Sequence, residues 1–171
     1  MYKIAILCPY KKLADYANLI GKKLENIHIQ TFIGYFDEGV KLAKEAESKG
    51  YDAIIARGIT YNRIKEQVNI PVVNAQESVH DLIRALYKVR GCGYKVNLFL
   101  YENNLILVDQ NFNELLNDIF DINLTVTKYG CPKDLELYTK KLSKDFDAFI
   151  GGAYVEELSK EIGIKSILWE T

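Results

Sequence analysis

The segment Asp52-Ala53-Ile54-Ile55-Ala56-Arg57-Gly58 occurs nearly twice in this chain, and the repetition limits the fold more than any other feature. The second copy is Asp147-Ala148-Phe149-Ile150-Gly151-Gly152; 95 residues separate Asp52 from Asp147, and 94 separate Gly58 from Gly152. In each copy an apolar run ends at glycine, passes through a short helix-period segment and reaches a closing apolar run. The closing runs are Asn69-Ile70-Pro71-Val72-Val73 and Gly163-Ile164-Lys165-Ser166-Ile167-Leu168. Short apolar runs bounded by turn residues read as buried strands. A doubled strand-loop-helix unit predicts two similar lobes, and a cleft between such lobes suits a small molecule.

The rest of the sequence fits the same alternation, which is the pattern of parallel α/β units. Lys3–Cys8 and Ile27–Ile33 read as strands, with Leu13, Tyr16, Ala17, Ile20 and Leu24 at helical spacing between them. A second helix over Phe36–Lys49 stops at Gly50. Val79, Leu82, Ile83, Leu86 and Val89 form one apolar helical stripe, ended by Gly91-Cys92-Gly93. The pattern then restarts at Lys95–Leu100, with a helix around Phe112–Ile119, a strand at Leu124–Thr127 and a helix after Pro132. The predicted organisation is an α/β chain with two four-stranded parallel units: an N-terminal lobe 1–76, a connecting helix 77–91 and a C-terminal lobe 92–171.

Composition removes several classes of function. The 171 residues are 49% hydrophobic, enough for a real core, and the formal net charge is -1. Nucleic-acid binding needs clustered Lys and Arg to displace phosphate counterions, and no such cluster occurs, so direct nucleic-acid contact is not expected. No stretch approaches the roughly 18 apolar residues of a membrane span, and the apolar start is too short for a signal peptide. Cys8, Cys92 and Cys131 are odd in number and irregular in spacing. They argue against a disulfide framework and for a reducing, cytoplasmic setting.

Ligands of open α/β sheets bind outside the carboxyl ends of the strands. Arg57, Gly58 and Thr60 lie at such an end, just before a helix. Gly58 permits close backbone approach, the helix start offers free N–H groups, and Arg57 is suited to a bidentate clamp on a carboxylate or phosphate. The alternative is that Thr60 only caps the helix and Arg57 pairs with a surface acid. Ser78 and Asp81 have capping-box spacing, so capping competes with ligand binding there. Gly151-Gly152 at the equivalent strand end allows a ligand near the backbone, or simply a tight turn. Tyr10, after Pro9, and Glu102, between Tyr101 and Asn103, occupy the ends of the first strand in each half and are candidate cleft walls. His80 has no His or Cys at metal-ligand spacing, His28 begins a strand, and neither a metal nor a cofactor is expected. The chain lacks a phosphate loop and a nucleophile elbow, and Gly91-x-Gly93 precedes its strand where a dinucleotide fingerprint follows one. Cys8 and Cys92 are candidate nucleophiles, against the alternative of small buried hydrophobes.

Gly50-Tyr51-Asp52-Ala53-Ile54-Ile55-Ala56-Arg57-Gly58-Ile59-Thr60, then Ile70-Pro71-Val72-Val73, then Ser78-Val79-His80-Asp81-Leu82-Ile83-Arg84-Ala85-Leu86, together with Asp147–Gly152, resemble the PrpR-type receptor domain. That domain stands at the amino terminus of propionate-catabolism activators and related bacterial regulators that act with the nitrogen-type sigma factor. The resemblance spans essentially the whole chain. It implies two similar three-layer α/β/α lobes of chelatase-like duplication and a small effector, such as a methylcitrate-like tricarboxylate, bound between them. The matching positions are Arg57, Gly58, Thr60, Ser78, Asp81, Gly151 and Gly152. The sequence departs from the family pattern at Ala56, where Ser is usual, at Ile59 and Val79, where Gly is usual, and at His80, where an aromatic is usual.

The leading expectation is a non-enzymatic sensor of a small anionic metabolite that signals by lobe closure. Its output passes to an attached ATPase and DNA-binding module, which this sequence does not carry, or to a homodimer partner. The competing expectation is a two-lobed cysteine-dependent racemase or isomerase, which needs an acid/base on each side of its substrate. Against it, Leu100 stands where the second half would need a counterpart of Cys8. A scaffold role resting on the twelve tyrosines is a third reading.

Overall fold

The computed structural model describes residues 1–91, 93–106 and 108–170. The chain forms two compact units, Met1–Gln76 and Glu77–Thr171. The first contains β1 (Tyr2–Cys8), α1 (Lys11–Gly21), β2 (Ile27–Ile33), α2 (Phe36–Ser48), β3 (Ala53–Ala56), α3 (Gly58–Ile64) and β4 (Val72–Asn74). Its strands are parallel in the order β2-β1-β3-β4. The second contains α4 (Val79–Tyr87), β5 (Lys95–Tyr101), α5 (Gln110–Phe120), β6 (Asn123–Tyr129), α6 (Pro132–Leu142), β7 (Ala148–Gly151), α7 (Ala153–Ile162) and β8 (Lys165–Leu168), with its sheet in the equivalent order β6-β5-β7-β8.

This strand order determines the layering. β2 lies to one side of β1 and β3 to the other, so right-handed crossovers put α1 on one face and α2 with α3 on the opposite face. Ala5, Leu7, Ile54 and Ala56 accordingly pack with Ala43, Ala46 and Ile64 from α2 and α3. In the second unit Phe99 and Phe149 pack with Leu135, Val155 and Leu158 from α6 and α7. On the other face Val96, Leu98 and Ile150 pack with Leu116 and Phe120 from α5.

The stripe expected as a connecting helix is α4. Its Leu82, Ala85 and Leu86, with Val89 just beyond, belong to the core shared with α5. The second sheet therefore carries α4 as well as α5 on that face, the face that α1 takes in the first unit. The burial patterns record the difference: all four residues of β7 are buried, while β3 alternates.

The aspartates that open the two repeats are structural. The Lys3 amide donates to the Asp52 carboxylate at 2.7 Å, and the Lys95 amide donates to Asp147 at 2.8 Å. Each aspartate's own amide donates back to the same residue's carbonyl at 2.8 Å. Each pair fixes the first and third strands of its sheet in register. The repeat keeps aspartate because the carboxylate satisfies an amide just before the ladder starts.

Candidate functional site

Strand-end chemistry in the first unit gathers around Arg57. The residue follows β3 directly and is extended, with φ -139° and ψ 161°. Its side chain is nearly engulfed, the residue being 8% exposed, and its guanidinium lies 5.9 Å from the centre of the Tyr10 ring. Tyr10 reaches this position because β1 and β3 are neighbours and end on the same side. An aromatic face beneath a guanidinium favours its positive charge at this strand end. Gly58 has φ +56°, in the left-handed region, and a Cβ there would meet no atom within 4 Å. Conformation rather than crowding thus calls for glycine. The α3 helix is short, Gly58 to Ile64, so its macrodipole contributes little and the anion-binding argument rests on Arg57. Ile59, the bulkier substitute for the family's second glycine, is 7% exposed.

Thr60 does something the sequence did not suggest. It lies inside α3 rather than at its cap, and its hydroxyl accepts a hydrogen bond from the Phe36 amide at 3.0 Å. The Thr60 methyl fits against Gly39, where an added Cβ would come within 2.5 Å of it. Thr60 therefore ties the start of α2 to α3. Phe36 is held with φ +52°, a costly conformation for an aromatic residue, between the Tyr35 ring at 4.9 Å and the Arg63 guanidinium at 5.7 Å. Arg63 also pairs with Asp37. Tyr35 and Phe36, at the end of β2, were missed in the sequence reading. The available signal was the aromatic pair after Gly34, directly before an acidic helix start.

Cys8 ends β1 fully buried. Burial pushes its thiol up to about 11, and the nearby Arg57 charge only partly opposes this. Such a thiol is protonated near neutral pH and a poor nucleophile. Cys92, the other candidate nucleophile, lies outside the described residues. Among the described residues no group of three His, Cys, Asp or Glu side chains is placed to hold a metal.

Ser78 and Asp81 are in the second unit, at the start of α4, where they complete a reciprocal capping box. The Ser78 amide and hydroxyl donate to Asp81 at 2.8 and 2.7 Å, and the Asp81 amide donates to Ser78 Oγ at 3.3 Å. Arg84 adds an ion pair. Burial pushes the Asp81 carboxyl up, but the hydrogen bonds from Ser78 and the Arg84 charge together hold it below the ordinary carboxylate value. This network accounts for both residues without a ligand.

Gly151 and Gly152 have different roles. A Cβ on Gly151 would lie 2.6 to 2.9 Å from the Val155 side chain, whereas one on Gly152 would meet nothing within 4 Å. Gly151 lets α7 approach β7, and its carbonyl accepts from the Trp169 amide at 2.7 Å. Gly152, the N-cap of α7, leaves open space beside the backbone. Glu102, at the end of β5, is exposed, and a Cβ on Gly130 would come within 2.9 Å of its carboxylate. Asp134 accepts from the Gly130 and Cys131 amides at 2.9 Å each, which hold its carboxyl below the usual range. Strand-end charge is therefore cationic at Arg57 in the first unit and anionic at Glu102 and Asp134 in the second.

The family model described as "Propionate catabolism activator" matches residues 23–171. The chain belongs to this family. It is a transcription-regulator sensor domain of the propionate-catabolism-activator type, with an α/β fold. The crystal structure of an NtrC family transcriptional regulator from Clostridium acetobutylicum matches with a TM-score of 0.87 at 19% identity, covering 99% of this chain and 88% of that one. A conserved domain protein from Vibrio cholerae matches with a TM-score of 0.51 at 13% identity, covering 96% and 73%. These likenesses concern the fold. No curated protein sequence matches the chain. Among the described residues no helix of the sensor domain is long and apolar enough to cross a membrane.

Proposed function

We propose that this sensor domain binds a small anionic, tricarboxylate-like metabolite without transforming it. Arg57 clamps a carboxylate above the Tyr10 ring, the Gly58 backbone approaches the same group, and Gly152 supplies open backbone from the second unit. Binding to both units favours a closed arrangement, and an attached ATPase and DNA-binding module or a dimer partner reads that population. The observation that carries the reading is Arg57, a nearly buried guanidinium at a strand's carboxyl end, in a chain of the propionate-catabolism-activator family. The strained Phe36 backbone, whose amide is bound by Thr60 in the helix that Arg57 caps, supports the location, since strain of this kind collects at functional sites. A cysteine-dependent enzyme gains no support from Cys8, whose thiol is pushed toward the protonated form.

Calorimetric titration with di- and tricarboxylates tests the reading. Each charge-assisted hydrogen bond contributes about 1.5–3 kcal/mol, so Arg57→Ala should weaken the best effector by about tenfold or more. Arg57→Lys should recover part of that, because a point charge does not replace a bidentate fork. An Arg57→Ala protein that melts like the parent and binds the effector equally well would refute the clamp.

A further inference from the structure

Parallel sheets occur with both faces covered, and the two repeats meet that requirement unequally. In the second unit, Leu98 and Ile150 point away from α6 and α7 and are both 0% exposed, because they share a core with Leu82, Ala85 and Leu86 of α4. Leu98 pairs with Ile150, and Ile150 with Ile167, across three strands. The equivalent row of the first unit is Ile6, Ile55 and Val73, paired in the same register. There Ile6 and Ile55 are only half-buried, and Val73 is 52% exposed.

Helix α1 lies to one side of this row. Its Gly21 sits against Ile29 of β2, where an added Cβ would come within 3.0 Å, and its Asn18 donates to Thr31 of β2 at 3.0 Å. The opposite flank of the helix, with Tyr16 and Ile20 at i, i+4, therefore faces across β1 toward β3. Tyr16 and Ile20 are 52% and 56% exposed. An apolar helix flank and an apolar strand row thus form an uncovered shelf, equivalent to the one that α4 fills in the second unit. Scattered exposed apolar residues are ordinary, but a continuous row on a parallel sheet is not.

Charge marks the lip of the shelf. Between Lys11 and Leu24 the sole acid is Asp15, which pairs with Lys11 at 3.2 Å. Asp15 and Lys11 share the flank of Asn18, the one beside β2. Lys12 neighbours Tyr16 at i, i+4, and Lys23 stands just past the helix, its amide bonded to the Ile20 carbonyl at 2.9 Å. Both lysines are exposed. Helix α4 follows β4 but belongs to the second unit, so completing the first sheet falls to a helix from outside the two repeats.

We propose that this shelf of the first unit is a docking site for an acidic amphipathic helix of a partner protein. The apolar face of that helix lies on Ile6, Ile55 and Val73 and packs against Tyr16 and Ile20. Its acids meet Lys12 and Lys23, which selects against a basic helix.

Alkylation of a Val73→Cys variant, read by mass spectrometry of peptides, tests the shelf first. The introduced thiol should be modified at pH 8 in the free protein. A thiol protected at every protein concentration shows that the chain's own second unit covers the row, and one protected only at high concentration shows that a second copy does; either overturns the proposal. The docking probe is a synthetic helical peptide with the apolar spacing of Leu82, Ala85, Leu86 and Val89 and glutamate at its outer positions. It should protect the thiol with half-effect at or below about 100 μM, and a peptide with lysine for glutamate should need at least about tenfold more. Tyr16→Gln/Ile20→Gln, with a parental circular dichroism spectrum, should weaken the glutamate peptide by about tenfold in calorimetry. Leu115→Gln, on an equally exposed apolar residue of the second unit, should leave it unchanged. A glutamate peptide that does not bind at about 1 mM, a lysine peptide that binds as well, or a loss in Leu115→Gln equal to that in Tyr16→Gln/Ile20→Gln overturns the site.

Discussion

Gly151 and Gly152 are chemically identical neighbours, yet the structure gives them opposite tolerance to a methyl group. In Gly151→Ala the new Cβ would lie 2.6 Å from Val155 Cγ2, 2.9 Å from Cγ1 and 2.7 Å from Val155 Cβ. Rotating Val155 about χ1 moves the two methyls but not Cβ, so the clash can be relieved only by shifting α7 against β7. Val155 is 1% exposed and packs with Phe149 and Leu158, so that shift propagates into the core. Overpacking of this kind costs about 1–3 kcal/mol. For a chain of this size that is a fall in Tm of roughly 2–4 °C per kcal/mol. Gly152→Ala meets no atom within 4 Å and has φ -73°, which alanine adopts freely, so stability should be unchanged or higher by about 0.4–1 kcal/mol through the unfolded chain. Urea unfolding followed by circular dichroism separates the two, and the second unit's transition should move to lower urea only for Gly151→Ala. Adding Val155→Ala to Gly151→Ala should cost less than the sum of the single changes, because the clash and the lost methyls offset each other. If Gly151→Ala unfolds at the same urea concentration as the parent, the close approach of α7 to β7 is not what this glycine serves. A loss of effector binding in Gly152→Ala without loss of stability would add weight to the backbone contact assigned to it.

Thr60→Val keeps the shape near Gly39 but removes the acceptor for the Phe36 amide, so it should destabilise by about 1–3 kcal/mol in thermal melts, with Thr60→Ser losing less. The Asp81 carboxyl is held below its ordinary value in the folded chain, so its contribution is present above the unfolded carboxylate pKa and disappears as pH falls through the folded one. The stability difference between Asp81→Asn and the parent should therefore be full at pH 7 and shrink in acid below about pH 4, where denaturant midpoints follow it. Cys8 is the reverse case: burial raises its thiol from 9.0 to about 11, so its contribution holds below pH 9 and is lost as pH rises through 11. At pH 8 the native protein should leave Cys8 unmodified by iodoacetamide and alkylate the partly exposed Cys131, read by mass spectrometry of peptides.

The sequence was most legible where a local pattern has one physical solution. Alternating apolar runs and helix-period segments placed all eight described strands in order, whereas the repeat of Asp52 and Asp147 was visible without the strand-start contacts that these aspartates make with Lys3 and Lys95. Legibility ended where the deciding contact is distant in the chain. Thr60 read as part of an anion site, or else as a cap for its own helix, but its hydroxyl serves Phe36, 24 residues away, because β2 and β3 flank β1 and bring the ends of α2 and α3 together. The stripe from Val79 to Val89 read correctly as an apolar helix face, yet periodicity names a face and not the sheet that receives it. Only the fold adds α4 to the core of the second unit. The same limit governs the candidate site. Arg57 stood out because a charged residue at a strand end has few structural reasons to be there. Tyr35 and Phe36 did not, because aromatic residues are at home in cores, and only the +52° φ of Phe36 marks that turn as strained. A lone charge in an apolar context can be read from sequence, while strain and the partner of a hydroxyl cannot. Ser78 and Asp81 sit between these cases: their spacing announced a capping box, and the capping network now uses the groups that a ligand would otherwise have engaged.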